Sequence, residues 1–255
     1  MSSMDQQYWD NVADNYEDEI FSSLDSDRKN LIKKYIQKCA SKRRNACDFG
    51  CGVGIYLPIL SRCFKHVYAF DLSPELVNVA RKRNKSRKNI TLRSRDLSRP
   101  GLKVPKVRFA VCANVLIVDS HKIRNKILAN ISRNISKDGH LLMVVPSLES
   151  ALYTNARLFE WNLKSGMRQE DAIETGMKSE HDNGNGAVSN GLVNINGVTT
   201  KHYLQEELMV FLENHGFSIE EIEKVEYDWS TEFEKPPVWM KEPYPWDWMI
   251  LAQKK

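Results

Sequence analysis

The run DFGCGVG at residues 48–54 is the part of the sequence best suited to bind a ligand. Glycines at every second position let the backbone turn tightly, and they let a ligand lie against bare amides where a helix begins. A dinucleotide-binding turn of the G-x-G-x-x-G type needs a third glycine at position 55, which is Ile55. A P-loop is excluded as well, because no Gly-Lys-Ser/Thr follows. The run therefore predicts a ligand-binding turn of another kind.

Three further polar residues stand at the ends of predicted strands. Asp71 follows a short apolar run, Asp96 closes an alternating one, and Asn114 follows a continuous apolar one. The Asp71 carboxylate can accept hydrogen bonds from both hydroxyls of a ribose, and Asp96 can accept one from an adenine amino group. Either aspartate alone is equally well explained as a turn or helix cap. Their joint placement with the glycine run predicts a nucleoside site.

Alternating strand and helix patterns position these residues. Two helices lead the chain, one over residues 5–20 and one from Ser26 to about Ala40 that Ser26 or Asp27 can cap. A helix over residues 122–135 directs Ile123, Ile127, Leu128 and Ile131 inward. Five strands are predicted before Pro146, at residues 45–48, 66–70, 89–97, 108–116 and 139–145. This alternation predicts an α/β fold with a doubly wound, Rossmann-like, mainly parallel sheet.

The pattern changes after Pro146. We predict a helix from Ser147 past Trp161, an irregular Asn- and Gly-rich stretch over 176–197, and a helix over 205–215. Two more strands, at 217–227 and 248–253, give seven strands with an antiparallel last one. The chain is then a single domain with a helical or loop insertion after the fifth strand. Its parts are N-terminal helices (1–42), a cofactor-binding core (43–146), a lid insertion (147–203), and a terminal helix with strands (204–255).

These features together resemble the class I S-adenosylmethionine-dependent methyltransferases, most closely their broad small-molecule group. In that family D-x-G-x-G-x-G is the cofactor loop, and residues 48–54 match it in full. The resemblance implies S-adenosyl-L-methionine as cofactor, with Asp71 at the ribose and the Asp96–Leu97 pair at the adenine. It also implies that aromatics of the leading helix, Trp9 and Tyr16, close over the methionine end, although helix packing explains these two equally well. The cofactor-binding residues carried over are Trp9, Tyr16, Asp48, Gly50, Cys51, Gly52, Gly54, Asp71, Leu72, Asp96, Leu97 and Asn114.

The reaction that this resemblance implies needs few protein groups. The sulfonium cofactor carries the hard chemistry, so the protein holds an acceptor nitrogen or oxygen in line with the methyl group and excludes water. A hydroxyl acceptor would need a base, for which His121, His202 and Tyr203 are candidates, although a structural role explains each of them better. No set of converging carboxylates for a metal can be assembled, so no bound metal is predicted.

Charge is distributed unevenly along the 255 residues, whose net charge is +4. Residues 1–150 hold 27 Lys and Arg against 15 Asp and Glu, whereas residues 151–255 hold 10 against 18. The five cysteines suggest neither a disulfide framework nor a zinc site. No apolar run approaches the roughly 20 residues that span a bilayer, and no signal peptide precedes the first helix. We therefore expect a cytoplasmic protein without a membrane partner; the oligomeric state is not predicted.

Three functions fit these observations. The first is methyl transfer to a small-molecule acceptor. The acidic surplus of the second part of the chain would suit a cationic or amine substrate, although a solvated, lysine-poor surface explains the surplus equally well. The second is methylation of RNA or protein, motivated by the basic run over residues 81–88 but not favoured, because that run follows the second strand's helix and the NPPY-type tetrapeptide is absent after the fourth strand. The third is a non-catalytic scaffold that binds the cofactor. Aromatics of the insertion and the carboxy terminus could line the acceptor side, although core and lid packing is the commoner role of such residues; they include Tyr153, Phe159, Trp161, Trp239, Trp246 and Trp248.

Overall fold

The computed structural model describes residues 4–13, 15–16, 20–102, 104–173, 188–195 and 197–255. Its helices are α1 (Gln6–Asn11), α2 (Ser23–Ser26), α3 (Leu31–Lys38), α4 (Leu57–Cys63), α5 (Pro74–Arg83), α6 (His121–Asn134), α7 (Leu148–Lys164) and α8 (Gln205–Glu213). Its strands are β1 (Ala46–Phe49), β2 (Val67–Asp71), β3 (Ile90–Ser94), β4 (Val107–Ala113), β5 (Ile135–Pro146), β6 (Leu192–Ile195), β7 (Val198–Lys201), β8 (Phe217–Glu226) and β9 (Trp246–Lys254).

Seven strands form one sheet in the order β3-β2-β1-β4-β5-β9-β8. The first five strands pair in parallel, whereas β9 is antiparallel to both β5 and β8. This confirms the predicted doubly wound, mainly parallel sheet with an antiparallel last strand. The order reverses between β1 and β4, and open α/β sheets bind ligands at such a switch point, beyond the carboxyl ends of the strands.

The direction of β9 brings its first residues to the same edge as the ligand-binding turn. Pro146, at the end of β5, pairs with Asp247, near the start of β9, and Val225 of β8 pairs with Asp247 on the other side. An antiparallel strand starts where its parallel neighbours end. Asp247 therefore lies at the carboxyl-end edge of the sheet.

Apolar side chains cover both faces of the sheet. Successive residues of β1 divide between them: Ala46 packs in one core cluster, and Cys47 and Phe49 pack in the other. The rings of Phe49 and Phe70 stack with centroids 6.3 Å apart. Burial on both faces explains why the central strands are continuous apolar runs in the sequence.

Some predicted helix boundaries are confirmed and others are wrong. Ser73 caps α5, since its Oγ accepts a hydrogen bond from the Leu76 amide at 3.0 Å, as the Ser-Pro start predicts. The predicted helix from Ser26 is wrong at its start, because α2 ends at Ser26 and α3 begins at Leu31. Between them, the Asp27 Oδ2 accepts from the Ile32 amide at 2.8 Å and thereby starts a separate helix.

The first predicted helix is too long, and one inward residue of α6 was assigned wrongly. Of the helix expected over residues 5–20, α1 covers Gln6–Asn11 only, and Asp14 and residues 17–19 lie outside the described residues. Ile123 does not point inward: it lies in the first turn of α6 with 40% of its surface exposed. The other three inward residues of that helix are buried as predicted: Ile127, Leu128 and Ile131.

The stretch predicted as irregular over 176–197 contains a strand. β6 and β7 form an antiparallel hairpin in which Leu192 pairs with Lys201 and Ile195 with Val198. The turn depends on Gly197, which has a φ of +84° and donates its amide to Asn194 Oδ1 at 2.7 Å. The Asn-Gly dipeptide at 196–197 is a hairpin signal that the prediction overlooked. Residues 174–187 lie outside the described residues.

Within the described ranges, no helix combines the length and the apolar character needed to cross a membrane.

Candidate cofactor and acceptor site

The glycine run forms a tight turn directly after β1. Gly50, Gly52 and Gly54 have φ values of +79°, +49° and +82°, a region that residues with side chains rarely adopt. The Gly50 amide donates to the Phe70 carbonyl of β2 at 2.7 Å, which fixes the turn against the sheet. A Cβ atom at Gly50 would lie 2.1 Å from a methyl carbon of Val115, so the loop after β4 packs directly on this turn.

Asp71 connects the end of β2 to the same turn. Its Oδ2 accepts a hydrogen bond from the Gly52 amide at 2.7 Å, and its Oδ1 accepts one from the Ser73 amide at 3.0 Å. Burial raises the pKa of the Asp71 carboxyl, although these amide hydrogen bonds oppose the rise. Because each carboxylate oxygen has two lone pairs, Asp71 can still accept hydrogen bonds from two hydroxyls of a ligand.

Asp48 is a second carboxyl group beneath the turn. Its side chain is buried, and Oδ2 has no hydrogen-bond partner among the described residues. Burial raises the pKa of Asp48 to about 8, and the nearby charge of Asp71 adds to the rise. At neutral pH Asp48 is therefore mostly protonated, so it can donate a hydrogen bond as well as accept one.

The leading segment of the chain, α1 with the residues that follow it, packs on the glycine turn. A Cβ atom at Gly52 would lie 2.8 Å from the hydroxyl oxygen of Tyr16, which places that ring directly over the turn. Trp9 and Tyr16 pack against a small buried cluster of Ala13, Val53 and Leu76. The Ser73 hydroxyl at the cap of α5 donates a hydrogen bond to Asp10 of α1. The structure thus brings Trp9 and Tyr16 beside the predicted cofactor loop.

Asp96 follows β3 and caps its own turn. Its Oδ1 accepts from the Ser98 amide at 2.8 Å and the Ser98 hydroxyl at 2.7 Å, and its Oδ2 accepts from Arg99 Nε at 3.0 Å. Burial alone would raise the pKa of Asp96, but the Ser98 hydrogen bonds and the Arg99 charge outweigh it and lower the pKa. Leu97 is buried in the core. The adenine contact of this pair stays a prediction, since the observed hydrogen bonds are those of a turn cap.

The remaining residues of the predicted set lie on the turn or its neighbours. Cys51 is buried and donates its amide to the Phe70 carbonyl at 2.8 Å. Leu72 follows Asp71, and its amide is among the groups that lower the Asp71 pKa. Asn114 has a φ of +54° after β4, and its Oδ1 is buried without a partner in the described part of the chain.

A hydrogen-bonded chain leads from Asn114 to an acidic residue that the sequence analysis missed. Asn114 Nδ2 donates to the Ser23 hydroxyl at 3.1 Å, and Ser23 donates to Asp247 Oδ2 at 3.1 Å. Burial raises the pKa of Asp247 to about 6, while the Ser23 hydrogen bond and the nearby Tyr227 hydroxyl oppose the rise. The signal was available in the sequence, because Asp247 is an acid between two tryptophans of an otherwise apolar strand.

The candidate bases make structural contacts. The Tyr203 hydroxyl donates to the Leu116 carbonyl at 2.6 Å, and burial raises its pKa far above the ordinary value. His202 Nδ1 lies 3.3 Å from the Thr200 carbonyl oxygen in the hairpin. His121 Nε2 lies 2.8 Å from the Asn125 amide nitrogen at the exposed start of α6. Their assignment as bases stays a prediction.

The aromatic residues expected to line the acceptor side are partly covered by cations of the protein itself. Lys164 Nζ lies 3.8 Å from the centre of the Trp239 ring, and Lys224 Nζ lies 3.7 Å from that of Trp246. Trp229 donates its indole N–H to the Lys241 carbonyl at 3.0 Å. In the described contacts, these rings therefore pack against groups of the protein itself. No cluster of three or more metal-ligating side chains is found in the described ranges.

The chain is similar to known methyltransferases. A family model described as "methyltransferase domain" matches residues 46–139. These residues run from the start of β1 to the turn inside β5 and include the glycine turn, Asp71, Asp96 and Asn114. No curated protein sequence matches the chain.

Solved methyltransferase structures share the fold over nearly the whole chain. A Methanosarcina mazei S-adenosylmethionine-dependent methyltransferase is 18% identical, with a TM-score of 0.59 and coverage of 86% of this chain and 96% of its own. The Bradyrhizobium japonicum N-methyltransferase NodS, solved with S-adenosyl-L-homocysteine, is 12% identical, with a TM-score of 0.59 and coverage of 98% and 97%. A Haloferax volcanii putative methyltransferase, solved with the Trm112 methyltransferase activator, is 12% identical, with a TM-score of 0.61 and coverage of 100% and 99%.

Residues 46–139 thus match the methyltransferase domain family over the segment that carries the glycine turn. This match agrees with the family resemblance and the enzyme class predicted from the sequence, and solved S-adenosylmethionine-dependent methyltransferases show the same fold. This segment places its glycine turn at the switch point of the sheet, where the strand order reverses between the neighbouring strands β1 and β4.

Proposed function

We propose that this methyltransferase transfers a methyl group to the nitrogen or oxygen of a small molecule by direct in-line displacement. The observation that carries the proposal is the hydrogen bond between the Gly52 amide and Asp71, which joins the glycine turn and the ribose-type carboxylate at one edge of the sheet. Both groups belong to the segment matched by the methyltransferase family.

The residues at this edge fit S-adenosyl-L-methionine. The turn has no side chain at Gly50, Gly52 or Gly54, and it is flanked by a buried oxygen without a partner among the described residues, Asp48 Oδ2. In this proposal the turn amides and Asp71 hold the nucleoside part, and Trp9 and Tyr16 cover the amino acid part. When bound, the cofactor supplies an electrophilic methyl group on a sulfonium ion.

The protein's own contribution is to place the acceptor and exclude water. Helix α2 supports this role, since Ser23 contacts Asn114 and Asp247 across the sheet edge. The segment before β9 is fixed by Tyr153 of α7, whose hydroxyl donates to the Pro243 carbonyl at 3.3 Å. An acceptor enclosed between these elements would be held near the glycine turn, and orientation of this kind lowers the entropy cost of the reaction.

The position of the basic run favours a small acceptor over RNA. Residues 81–88 include the last turn of α5, which begins at the carboxyl-end edge and runs back across the sheet. The Val67 amide at the start of β2 donates to the Asn89 carbonyl at 2.9 Å, so the run ends at the opposite edge. A polyanion bound there would lie on the far side of the sheet from the glycine turn.

An RNA or protein acceptor is the second candidate. It is supported by the basic run itself and by the likeness to the Haloferax volcanii chain that was solved with an activator protein. NodS, which is called an N-methyltransferase, supports a small amine instead. Transfer of a radioactive methyl group to low-molecular-weight or to macromolecular fractions of a cell extract distinguishes the two.

Calorimetric titration with S-adenosyl-L-methionine tests the cofactor site. Asp71→Asn should weaken cofactor binding by more than tenfold. The side-chain NH2 of asparagine would face the N–H of Gly52 or Ser73, and the negative charge that attracts two ligand hydroxyls would be lost. Asp138→Asn is the matched control, since Asp138 is exposed in the turn of β5 at the opposite edge. Equal affinity of the two variants would contradict the assignment of Asp71.

A further inference from the structure

Buried polar groups without protein partners gather between the glycine turn and Asp247. Among the described residues, Tyr56 Oη, Asn114 Oδ1 and Asp48 Oδ2 are buried and have no hydrogen-bond partner. Buried polar atoms are nearly always paired in folded proteins, so unpaired ones at a ligand site indicate groups that await a ligand. Tyr56 is more than nine-tenths buried, and its hydroxyl lies within electrostatic reach of both Asp48 and Asp247.

Asp247 is a buried carboxyl group without a cationic partner in the described part of the chain. Its polar neighbours are Ser23 and Tyr227, and neither carries a positive charge. Two acidic groups lie close by: Glu232 interacts with Asp247, and Asp25 lies near Tyr56. Buried carboxylates in proteins are ordinarily paired with a cation, bound to a metal or neutralised by a proton. A cationic group of a ligand would complete the contacts of Asp247.

This carboxylate lies beside the glycine turn. Val115 packs against Gly50, the neighbouring Asn114 donates to Ser23, and Ser23 donates to Asp247. Two hydrogen bonds thus connect Asp247 to Asn114, the neighbour of Val115 at the glycine turn. Side chains from β4, α2 and β9 meet there although they are far apart in sequence.

We propose that Asp247 binds the methyl acceptor and that the acceptor is an amine that enters as an ammonium ion. The proposal rests on the function proposed above. An ammonium group has up to three N–H donors. Asp247 and Asn114 Oδ1 offer acceptors for two of them, and the Tyr56 oxygen offers one for the third. An acceptor bearing a carboxylate or phosphate at this point would be repelled by Asp247 and Glu232.

The same carboxylate can prepare the amine for reaction. An ammonium nitrogen has no free lone pair, so it must lose one proton before it can attack a carbon atom. Asp247 takes this proton and becomes neutral, the nitrogen regains its lone pair, and the proton later leaves from Asp247 to water. Burial supports this exchange, since it raises the pKa of Asp247 toward neutrality. Tyr227, Tyr56, Asp48 and Glu232 are the other titratable groups that face the site.

Binding of benzylamine and benzyl alcohol to the protein loaded with S-adenosylhomocysteine tests the proposal. The two probes have the same shape and differ in the charge of one group. Calorimetry should show benzylamine binding at least tenfold more tightly at pH 7, and Asp247→Asn should remove this preference. Glu234→Gln is the control, because Glu234 is fully exposed on the same segment as Glu232. Ser23→Ala should weaken amine binding less than Asp247→Asn, since it leaves the charge in place.

Two results would overturn the acceptor assignment. One is binding of the alcohol as tight as that of the amine, or no binding of the amine at all. The other is an unchanged amine affinity in Asp247→Asn. Asp247→Asn should keep its affinity for S-adenosylhomocysteine, which also shows that the variant is folded. If the wild-type protein failed to bind S-adenosylhomocysteine, the proposed methyl transfer would be overturned as well.

Discussion

Asp48 is a carboxyl group that the fold keeps largely protonated at neutral pH. Its pKa is about 8 in the folded protein, against about 4 in an unfolded chain. The folded state therefore binds more protons than the unfolded state between these values. Folding stability contributed by this proton is complete below about pH 4 and is lost as the pH rises through about 8.

We predict that Asp48→Asn removes the loss of folding stability that accompanies rising pH. The variant should gain stability over the wild type as the pH rises from 4 to 8, with an upper limit of about 5 kcal/mol for a shift of four pKa units. Urea unfolding at several pH values measures the difference. Asp138→Asn, at an exposed position, should show no such trend. A constant difference between Asp48→Asn and the wild type would mean that Asp48 is ionised in the folded protein.

Single residues also show which parts of the site the sequence could reveal. The glycine run and Asp71 were predictable because their chemistry depends on residue type at short spacing, and the structure does bring them together. Asp247 was not predicted, since its role depends on β9 starting at the carboxyl-end edge of β5. Ser23 was missed because its contacts with Asn114 and Asp247 join distant parts of the chain.

At the scale of elements, α1 is held over the glycine turn by few contacts. The described contacts include the hydrogen bond from Ser73 to Asp10 and the packing of Trp9 on Val53 and Leu76. Because α1 has no buried residue, these contacts hold it in place more than the burial of apolar side chains does.

We predict that Asp10→Ala loosens α1 and weakens cofactor binding while leaving global stability nearly unchanged. Loss of one charge-assisted hydrogen bond, worth about 1.5 kcal/mol, corresponds to about tenfold in affinity. Calorimetry with S-adenosyl-L-methionine gives the affinity, and urea unfolding gives the stability. Asn11→Ala is the control on the same helix, because Asn11 is exposed and accepts a hydrogen bond only from Gln7 in the described contacts. Equal affinities of both variants would show that α1 does not cover the cofactor.

The elements that the sequence predicted best are those whose periodicity reflects burial. The central strands lie where their apolar runs predict them, because both of their faces are buried. Helix α5 begins where the Ser-Pro pair predicts it, because Ser73 caps it. The division of the second predicted helix into α2 and α3 could not be read from its apolar stripe. It depends on the Asp27 carboxylate, which accepts from the amides of Lys29 and Ile32.

At the scale of the whole molecule, the basic run and the acidic groups around Asp247 lie at opposite edges of the sheet. Asp247 and the nearby Glu232 lie at the carboxyl-end edge, whereas the basic run over residues 81–88 ends at the other edge. Arg87 even contacts Ser61 of α4 at 3.2 Å, on the side away from the glycine turn.

We predict that the basic run has no part in binding the cofactor or a small acceptor. The triple variant Lys82→Glu, Lys85→Glu, Lys88→Glu should keep the wild-type affinity for S-adenosyl-L-methionine at both low and high salt. Any weak binding of the wild type to single-stranded RNA should be salt-sensitive and absent from the variant. Fluorescence anisotropy with labelled RNA, alongside calorimetry, measures both. A tenfold loss of methyl transfer to small molecules in the variant would contradict this arrangement.

The reversed direction of β9 also brings residues from the carboxy-terminal part of the chain into the proposed acceptor site. The groups assigned to the methyl donor come mostly from residues 46–139, whereas the acidic groups assigned to the acceptor enter after residue 225. Substitutions in the carboxy-terminal tail can therefore retarget the enzyme to a new acceptor without disturbing the donor site. Exchange of residues 227–247 between relatives of this fold is a direct route to enzymes with altered selectivity.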